Sequence, residues 1–352
     1  MRLQRDILSA SRVMVVGCGA LGNEVLKNLA LCGVGHIVCV DFDIVEERNL
    51  SRSVLFRIGD AAEGRPKVYV AAERLREIAP SLDVCAVNGD ITADVGLGLV
   101  RDVDVVAGCV DSRWARFMIN RHCMRMNRPW VDGGISLSEG TVRVFEPGRN
   151  CYACGLDETA YAGIRRRISC SNVIRKAVEE GIAPSTSISA SVVGAVEAQE
   201  VLRIICGESS MCGRMFFCDG DSMSFGTAAF SAYDGDCPEH DMWSPVEKLP
   251  LSFKDSVKDA LACLPGENAA ILLRDDRFVD FVESRTDGCR YRVMLPKRRI
   301  RGFDDCYADE YMIIDKNFPY QDMSLESLGI PDRDVVRALC DGKERYFELQ
   351  GK

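Results

Sequence analysis

The first 150 residues of the chain alternate between short apolar runs and stretches of helical periodicity. The apolar runs predict buried strands at residues 13–17, 36–41, 83–88, 103–108, 130–132 and 141–146. The periodic stretches predict amphipathic helices at residues 21–32, 66–79 and 113–127. Alternating strands and helices are typical of mainly parallel sheets with helices on both faces. The pattern therefore predicts an α/β fold with a Rossmann-like, mainly parallel sheet.

The remainder of the chain is less regular, and its pattern breaks between Pro245 and Pro250. A long helix rich in small residues is predicted from Thr186 to Cys206, with Ser185 as its N-cap. We predict one large domain over residues 1–246, with an irregular segment inserted at about 155–185, and a small α+β module over 247–352. Further elements are predicted as strands at 214–219 and 225–230, a helix at 253–264, and strands at 270–273 and 291–295.

A glycine-rich turn follows the first predicted strand, with glycines at positions 17, 19 and 22. Glycines at this spacing let the backbone approach a phosphate, and the helix that follows offers unpaired amide groups. Asp41 ends the next strand, at the position where an acid meets ribose hydroxyls. These residues alone fit a nicotinamide- or flavin-dependent oxidoreductase as well as they fit an ATP-dependent enzyme.

Four polar residues beyond the glycine turn favour ATP chemistry: Asn49, Arg52, Lys67 and Asp111. When a carboxylate attacks the α-phosphate of ATP, negative charge builds on both sides while pyrophosphate leaves. Fixed cations and a carboxylate that holds Mg²⁺ stabilise such a transition state. A hydride-transfer site has no use for an arginine and a lysine over a leaving group. The alternative is that Arg52 and Lys67 are ordinary solvated charges.

Composition and charge narrow the class of protein. The net charge of −9 argues against nucleic acid or an anionic membrane as partner. No apolar run is long enough to predict a membrane span, and the first residues do not resemble a signal peptide. The 17 cysteines lie mostly singly in apolar segments, which fits reduced thiols and predicts a cytoplasmic protein.

Two Cys-x₂ pairs predict a metal site. Cys151 with Cys154, and Cys237 with His240, supply three thiolates and one imidazole, a donor set suited to a closed structural Zn²⁺ site. A redox Cys-x-x-Cys pair is the alternative for the first two residues. Such a pair needs a helix N-terminus to lower a thiol pKa, whereas this pair follows a strand.

Several segments together resemble the ubiquitin-activating superfamily, which includes ThiF, MoeB and HesA. They are Gly17–Glu24, the DxDxV run from Asp41 to Val45, Asn49–Arg52, Pro66–Lys67 and Asp111–Arg116. The resemblance implies that Asp41 holds the ribose, that Asn49, Arg52 and Lys67 hold the phosphates, and that Asp111 lies by Mg²⁺. Asp43, within the DxDxV run, and Arg116, in the family's DxxxxR…N pattern with Asn120, are added to the nucleotide-binding set. It also implies a homodimer and a small ubiquitin-like protein as substrate, whose C-terminus enters near Gly133 and Gly134.

Cys170 is the candidate nucleophile. It follows a basic cluster, Arg165 to Arg167, and precedes a potential helix cap at Ser171, and both features favour a thiolate. By resemblance, a cysteine between the first metal knuckle and the long helix receives the activated acyl group as a thioester, for transfer to a conjugating protein. The alternatives are an enzyme that adenylates a sulfur-carrier protein without conjugation, and a scaffold that has lost activity. The resemblance thus implies an ATP-binding adenylation domain over residues 1–246, with the catalytic-cysteine segment inserted at about 155–185. The module over residues 247–352 is predicted to dock a protein partner.

Overall fold

The computed structural model describes residues 4–165, 185–274, 276–283, 288–300 and 307–351. The chain divides into two compact units. The first unit comprises Met1–Thr92 and Val100–Met242, and the second unit comprises Ala93–Leu99 and Trp243–Lys352. The predicted α/β class, with a large mainly parallel sheet and a smaller carboxy-terminal module, is confirmed.

The first unit contains an eight-stranded sheet in the order β3-β2-β1-β4-β5-β6-β7-β8. The strands are β1 (Arg12–Val16), β2 (His36–Asp41), β3 (Asp83–Asn88), β4 (Val105–Gly108), β5 (Trp130–Ser136), β6 (Glu139–Phe145), β7 (Arg214–Asp219) and β8 (Ser224–Ala229). The first five strands pair in parallel, and β6 to β8 extend the sheet through antiparallel pairs. Apolar strands buried on both faces are what a parallel sheet covered by helices requires.

The helices in the described residues are α1 (Arg5–Ala10), α2 (Ala20–Leu31), α3 (Ile58–Ala62), α4 (Lys67–Ile78), α5 (Leu97–Arg101), α6 (Arg113–Arg125), α7 (Glu158–Arg165), α8 (Ser187–Ile205) and α9 (Val257–Cys263). Short 3-10 turns cover Glu47–Asn49, Tyr152–Gly155 and Pro238–His240.

Val131 and Val144 join the main core with α2 and α8. Trp130 and Phe145 stack on each other, and the Trp130 indole N–H donates to Asn120 of α6. Consecutive residues of β5 therefore meet different helices.

Helix α8 packs closely on α2 because α8 carries a glycine at their contact. A Cβ atom added to Gly194 would lie 2.6 Å from the Glu24 Cβ. The predicted N-cap of α8 was wrong by one residue. Thr186 is the cap, and its Oγ1 accepts from the Ser189 N–H at 3.0 Å. Ser185 instead forms an isolated parallel bridge with Leu137.

The second unit is built from two small antiparallel-rich sheets and α9. One sheet has the order β14-β10-β15-β16-β9, and the other has the order β12-β11-β13. Their strands are β9 (Val246–Leu249), β10 (Ala270–Leu272), β11 (Phe278–Glu283), β12 (Arg290–Pro296), β13 (Tyr307–Tyr311), β14 (Ile313–Ile314), β15 (Val335–Cys340) and β16 (Lys343–Leu349). Phe278, Leu325 and Phe347 lie in its apolar core. Helix α9 begins later than predicted because Ser256 caps it, accepting from the Asp259 N–H at 3.1 Å.

Upstream residues complete the second unit. The Leu97 N–H donates to Asp334 Oδ1 at 3.0 Å, and Arg298 Nη2 donates to the Ala93 carbonyl at 3.0 Å. Arg274 pairs with the same Asp334 at 2.8 Å. The segment Ala93–Leu99 is therefore held by side chains that follow it by about two hundred residues.

Candidate functional site

The glycine turn leaves no room for side chains at two of its three glycines. Gly17 has a φ of +94°, and a Cβ there would lie 2.4 Å from the Cys109 carbonyl oxygen. A Cβ on Gly22 would lie 1.8 Å from the Gly17 oxygen. Gly19 differs, because a Cβ there would meet no atom within 4 Å. The glycine turn is thus closely packed at Gly17 and Gly22 and open beside Gly19.

Asp41, at the end of β2, is tied to the glycine turn. Its Oδ2 accepts from the Cys18 N–H at 2.7 Å, and its Oδ1 accepts from the Asp43 N–H at 2.8 Å. Burial raises the pKa of Asp41, and the nearby Lys67 charge opposes this rise. The carboxylate therefore fixes the turn, whatever it binds. Its predicted contact with ribose stays a prediction.

Lys67 is the first residue of α4 and is almost fully buried, with 8% of its surface exposed. Its Nζ donates to Asp43 Oδ2 at 2.7 Å, and its own N–H donates to the Asp43 carbonyl at 2.9 Å. A bridge between Ile44 and Pro66 holds the same junction. The structure therefore brings Asp41, Asp43 and Lys67 into one contact chain.

Arg52 lies on the loop that follows the Glu47–Asn49 turn. Its N–H donates to the Asn49 carbonyl at 3.1 Å, and the buried Asn49 side chain accepts from the Glu46 N–H at 2.9 Å. Burial, and next the Arg48 charge, lower the pKa of the half-buried Arg52 guanidinium. Among the described residues, no carboxylate forms an ion pair with Arg52. This guanidinium is therefore a half-buried cation without a carboxylate counter-ion in that part of the chain.

Asp111 lies two residues before α6, and Arg116 lies in the first turn of this helix. Ser112 caps this helix, and the Asp111 side chain is exposed and pairs with no residue in the described ranges. Arg116 Nε donates to the buried Asp132 at 2.7 Å, and its Nη2 donates to the Gly133 carbonyl at 3.1 Å. Arg116 therefore fixes β5, and its predicted contact with nucleotide stays a prediction.

Strand register brings these residues to one edge of the sheet. Val16 pairs with Val40 on one side and with Gly108 on the other, and Gly108 pairs with Asp132. The glycine turn, Asp41, Asp111 and Gly133 thus lie where the parallel pairing of neighbouring strands ends, on the carboxyl side of the sheet. Ligands of open α/β sheets bind in this crevice.

The predicted nucleophile Cys170 lies outside the described residues, as do Arg166 and Arg167.

Two buried polar residues were not predicted from the sequence. Asn23 of α2 has no exposed surface and bonds to the glycine turn and to Leu55. Glu197 of α8 is also fully buried, and its Oε1 accepts from the Cys109 thiol at 3.4 Å. A signal for Glu197 exists in the sequence, since it lies between Val193 and Val201 at four-residue spacing on an apolar helix face.

The predicted metal ligands converge on one point. The ligand atoms of Cys151, Cys154, Cys237 and His240 all lie within 4.8 Å of one another. Cys151 Sγ lies 3.7 Å from the sulfurs of both Cys154 and Cys237. Tetrahedral zinc with Zn–S bonds of about 2.3 Å separates two sulfurs by about 3.8 Å. The cluster therefore has the donor set and the spacing to bind zinc.

The imidazole fits the same geometry. His240 Nε2 lies 3.3 Å from Cys154 Sγ, and the Tyr233 ring stacks on His240 with centroids 4.9 Å apart. Burial, and then the neighbouring Cys237, raise the pKa of Cys151, which favours the thiol at this residue when no metal is bound. A divalent cation would favour the thiolates.

Both knuckles are attached to α6. Asn120 Oδ1 accepts from the Tyr152 N–H at 2.9 Å. Glu239, between the second pair of ligands, accepts from Arg121 Nε and Nη2, each at 2.6 Å. Tyr161 of α7 donates to the same carboxylate at 2.8 Å. A zinc ion here would cross-link segments that contact α6 and α7.

Of the helices in the described ranges, none combines the length and low polarity needed to cross a bilayer.

Comparisons with known proteins place the chain in a family. The ThiF family model matches residues 2–239. The adenylyltransferase and sulfurtransferase MOCS3 of Mus musculus is 34% identical over 215 residues, which cover 60% of this chain and 44% of that protein. The SAMP-activating enzyme E1 of Haloferax volcanii is 32% identical over 232 residues, covering 66% of this chain and 80% of that protein.

A solved structure shows the same fold. The crystal structure of E. coli MccB with succinimide aligns with a TM-score of 0.55 and 24% identity, covering 67% of this chain and 68% of that chain. The chain spans about half the length of the MOCS3 relatives it matches, 44% of the mouse protein and 57% of the Bos taurus protein. The family model covers well over half of the chain, and the predicted superfamily is confirmed: this chain belongs to the ThiF family.

Proposed function

We propose that this chain uses ATP and Mg²⁺ to adenylate the C-terminal carboxylate of a small ubiquitin-like protein. The observation that carries the proposal is Arg52, a half-buried guanidinium without a carboxylate partner in the described part of the chain. A cation held this way is available for a charge that the protein lacks. The adenylyltransferase names of the relatives support the same chemistry.

The polar residues of the crevice divide the work. The amides of the glycine turn, Asn49, Arg52 and Lys67 bind the phosphates, and Asp41 binds the ribose. Asp111 would hold Mg²⁺, which supplies charge neutralisation at the phosphates. The protein carboxylate attacks the α-phosphorus, the bond to the β-phosphate oxygen breaks, and pyrophosphate leaves with the negative charge. The product is an acyl-adenylate.

We further propose that the substrate C-terminus reaches Gly133 and Gly134 on β5. Arg116 and Arg143 both bind Asp132, and Arg116 also binds the Gly133 carbonyl, which together hold this strand end. The Cys170 thiolate then attacks the acyl carbon, AMP leaves, and the thioester passes to a conjugating protein. A homodimer, a cytoplasmic location and a docking role for the second unit are predictions that accompany this proposal.

A sulfur-carrier protein is the second candidate substrate, because the relative MOCS3 is named a sulfurtransferase as well as an adenylyltransferase. In that case a sulfide-level sulfur nucleophile from a separate donor attacks the acyl carbon, the bond to the AMP oxygen breaks, AMP leaves, and the product is a thiocarboxylate without conjugation. Mass spectrometry of the partner after reaction separates the two fates, since a thiocarboxylate replaces one oxygen by sulfur and a conjugate adds a whole protein.

The adenylation step is tested with Asp111→Ala. A small protein ending in glycine, captured on the immobilised chain, serves as substrate for ATP–pyrophosphate exchange. We expect exchange to fall by about 10²–10³-fold, the usual effect of removing one electrostatic contact to the transition state. Asp322→Ala, at an exposed aspartate of the second unit, is the matched control and should keep full exchange. Full exchange in Asp111→Ala would contradict the assignment.

The thioester step is tested with Cys170→Ala. We expect this variant to keep ATP–pyrophosphate exchange and to lose a conjugate that reducing agent releases on a gel. Cys263→Ala, which removes an exposed thiol of the second unit, should change neither readout. A reducible conjugate that persists in Cys170→Ala would show that this thiol is not the acceptor.

A further inference from the structure

Asn23, the fourth residue of α2, has every hydrogen-bonding group of its side chain satisfied by backbone. Its Nδ2 donates to the Cys18 carbonyl at 2.7 Å and to the Gly19 carbonyl at 3.0 Å. Its Oδ1 accepts from the Leu55 N–H at 2.8 Å. The side chain is fully buried, so water does not compete for these bonds. Asn23 therefore determines the orientation of the peptides on either side of Gly19.

These bonds point two amides away from α2. In a planar trans peptide, the carbonyl and the following N–H point in opposite directions. Because Asn23 holds the Cys18 and Gly19 carbonyls toward the helix, the Gly19 and Ala20 N–H groups face the other way. Neither N–H has an acceptor in the described ranges, and the space beside Gly19 is open. Amides presented in this way bind anions.

The third bond of Asn23 reaches the loop that carries Arg52. Leu55 belongs to a series of tight turns, in which the Arg52 N–H bonds to Asn49 and the Phe56 N–H bonds to Ser53. Ser53 is buried, which anchors this loop. One amide side chain thus fixes both the outward-facing amides and the backbone beside the unpaired guanidinium.

We propose that Asn23 is a positioning residue that selects nucleotides by their phosphates. It sets the Gly19 and Ala20 amides and the Arg52 loop at a fixed separation, so that one phosphate chain contacts both. Adenosine, which has no phosphates, gains nothing from this arrangement. The proposal rests on the proposed function only in that the crevice takes ATP; it does not depend on which protein is adenylated.

The test compares the binding of ATP with the binding of adenosine by titration calorimetry in the presence of Mg²⁺. Asn23→Asp keeps the shape and the acceptor for Leu55, but sets a carboxylate oxygen against two carbonyl oxygens. We expect the Kd for ATP to rise at least about tenfold, the loss that one charge-assisted contact produces. The Kd for adenosine should stay within about twofold. Asn23→Ala should show the same selective loss.

Asp334→Asn is the control for a general loss of stability. This variant weakens a buried bond network in the second unit, and it should lower Tm without changing the ratio of the two Kd values. Equal weakening of ATP and adenosine in Asn23→Asp would reduce Asn23 to a structural role and overturn the proposal. Unchanged ATP binding would also overturn it.

A measurement on the wild-type chain keeps the proposal falsifiable if both variants fail to fold. Hydrogen exchange of a peptide that contains Gly19 and Ala20 should slow with ATP and not with adenosine. Equal protection by both ligands contradicts the orientation argued above. A chain that binds no ATP overturns this inference together with the proposed function. A chain that binds ATP selectively but shows no pyrophosphate exchange overturns the proposed function alone.

Discussion

Glu197 is a fully buried carboxyl whose pKa is raised by its surroundings. Burial, and next the charge of Asp132, raise the pKa of Glu197 well above its ordinary value. Only one of its oxygens accepts a hydrogen bond, from Cys109, and Oε2 has no partner among the described residues. That oxygen lies against Gly133, where an added Cβ would come within 2.0 Å. This environment favours the protonated form of the Glu197 carboxyl.

The protonation of Glu197 predicts a pH-dependent gain from Glu197→Gln. The folded chain holds the proton more tightly than the unfolded chain, so wild-type stability falls as pH rises from the ordinary carboxyl pKa toward the raised one. Glutamine has no such proton to lose. We expect the Tm of Glu197→Gln to exceed that of wild type by a margin that grows as the pH rises above the ordinary carboxyl pKa.

Glu200→Gln is the comparison on the same helix. Glu200 is also buried, but it accepts from the Met211 N–H at 2.8 Å and pairs with Arg203 at 3.0 Å. Removing its charge should lower Tm at neutral pH. Parallel Tm curves for wild type and Glu197→Gln would show that Glu197 is ionised in the folded chain.

The roles of crevice residues could be predicted from the sequence where the residues lie close together along the chain. The glycine turn and Asp41 lie within one strand–helix–strand unit, so their spacing in sequence is nearly their geometry. Asn23 and Glu197 could not be assigned roles in this way. Their partners, Leu55 for Asn23 and Cys109 for Glu197, follow or precede them by tens of residues, and burial alone gives those bonds their strength.

At the scale of elements, α6 connects the crevice with the metal ligands. Arg116 near its start bonds to β5, and Asn120 and Arg121 bond to the two knuckles one turn later. A metal ion that holds the knuckles together would therefore restrain the helix that carries Arg116. Loss of the metal should therefore lower the stability of the fold, and through α6 it should also loosen the position of Arg116 in the crevice.

Metal removal is tested with Cys237→Ser. We expect zinc content, measured by plasma mass spectrometry, to fall from one ion per chain to near zero. Binding at a free zinc concentration of about a thousand times Kd adds about 4 kcal/mol to the free energy of unfolding, so Tm should fall markedly. Cys263→Ser, at an exposed cysteine, should keep both values. Unchanged zinc content in Cys237→Ser would contradict the site.

Helices with a strong apolar stripe were predicted within one or two residues, as α2, α4 and α6 show. Strand β5 was predicted too short, ending at Asp132 rather than Ser136. The missing part contains Gly133 and Gly134, which lack the side chains that make a strand recognisable. It is formed by pairing with β6, in which Gly133 lies opposite Val142. Long-range pairing overrides the local preference there.

At the scale of the whole molecule, the division into two units does not follow a single point in the chain. The sequence pattern breaks near residue 246, and that break was the basis of the predicted boundary. Ala93–Leu99 also belongs to the second unit, because Arg274 and Arg298 donate to its backbone carbonyls and Asp334 accepts from one of its N–H groups. A linear pattern contains no sign of these bonds, because each joins residues separated by some 180 to 240 positions.

The crossing of Ala93–Leu99 into the second unit sets an order for biosynthesis. Leu97 is translated 237 residues before its acceptor Asp334. Until then, solvent must hydrate the peptide groups of this short stretch while the glycine turn and its neighbouring strands are already complete. The carboxy-terminal end of the chain therefore completes the hydrogen bonds of Ala93–Leu99. A polypeptide truncated at residue 242 would lack Asp334, the acceptor of the Leu97 N–H.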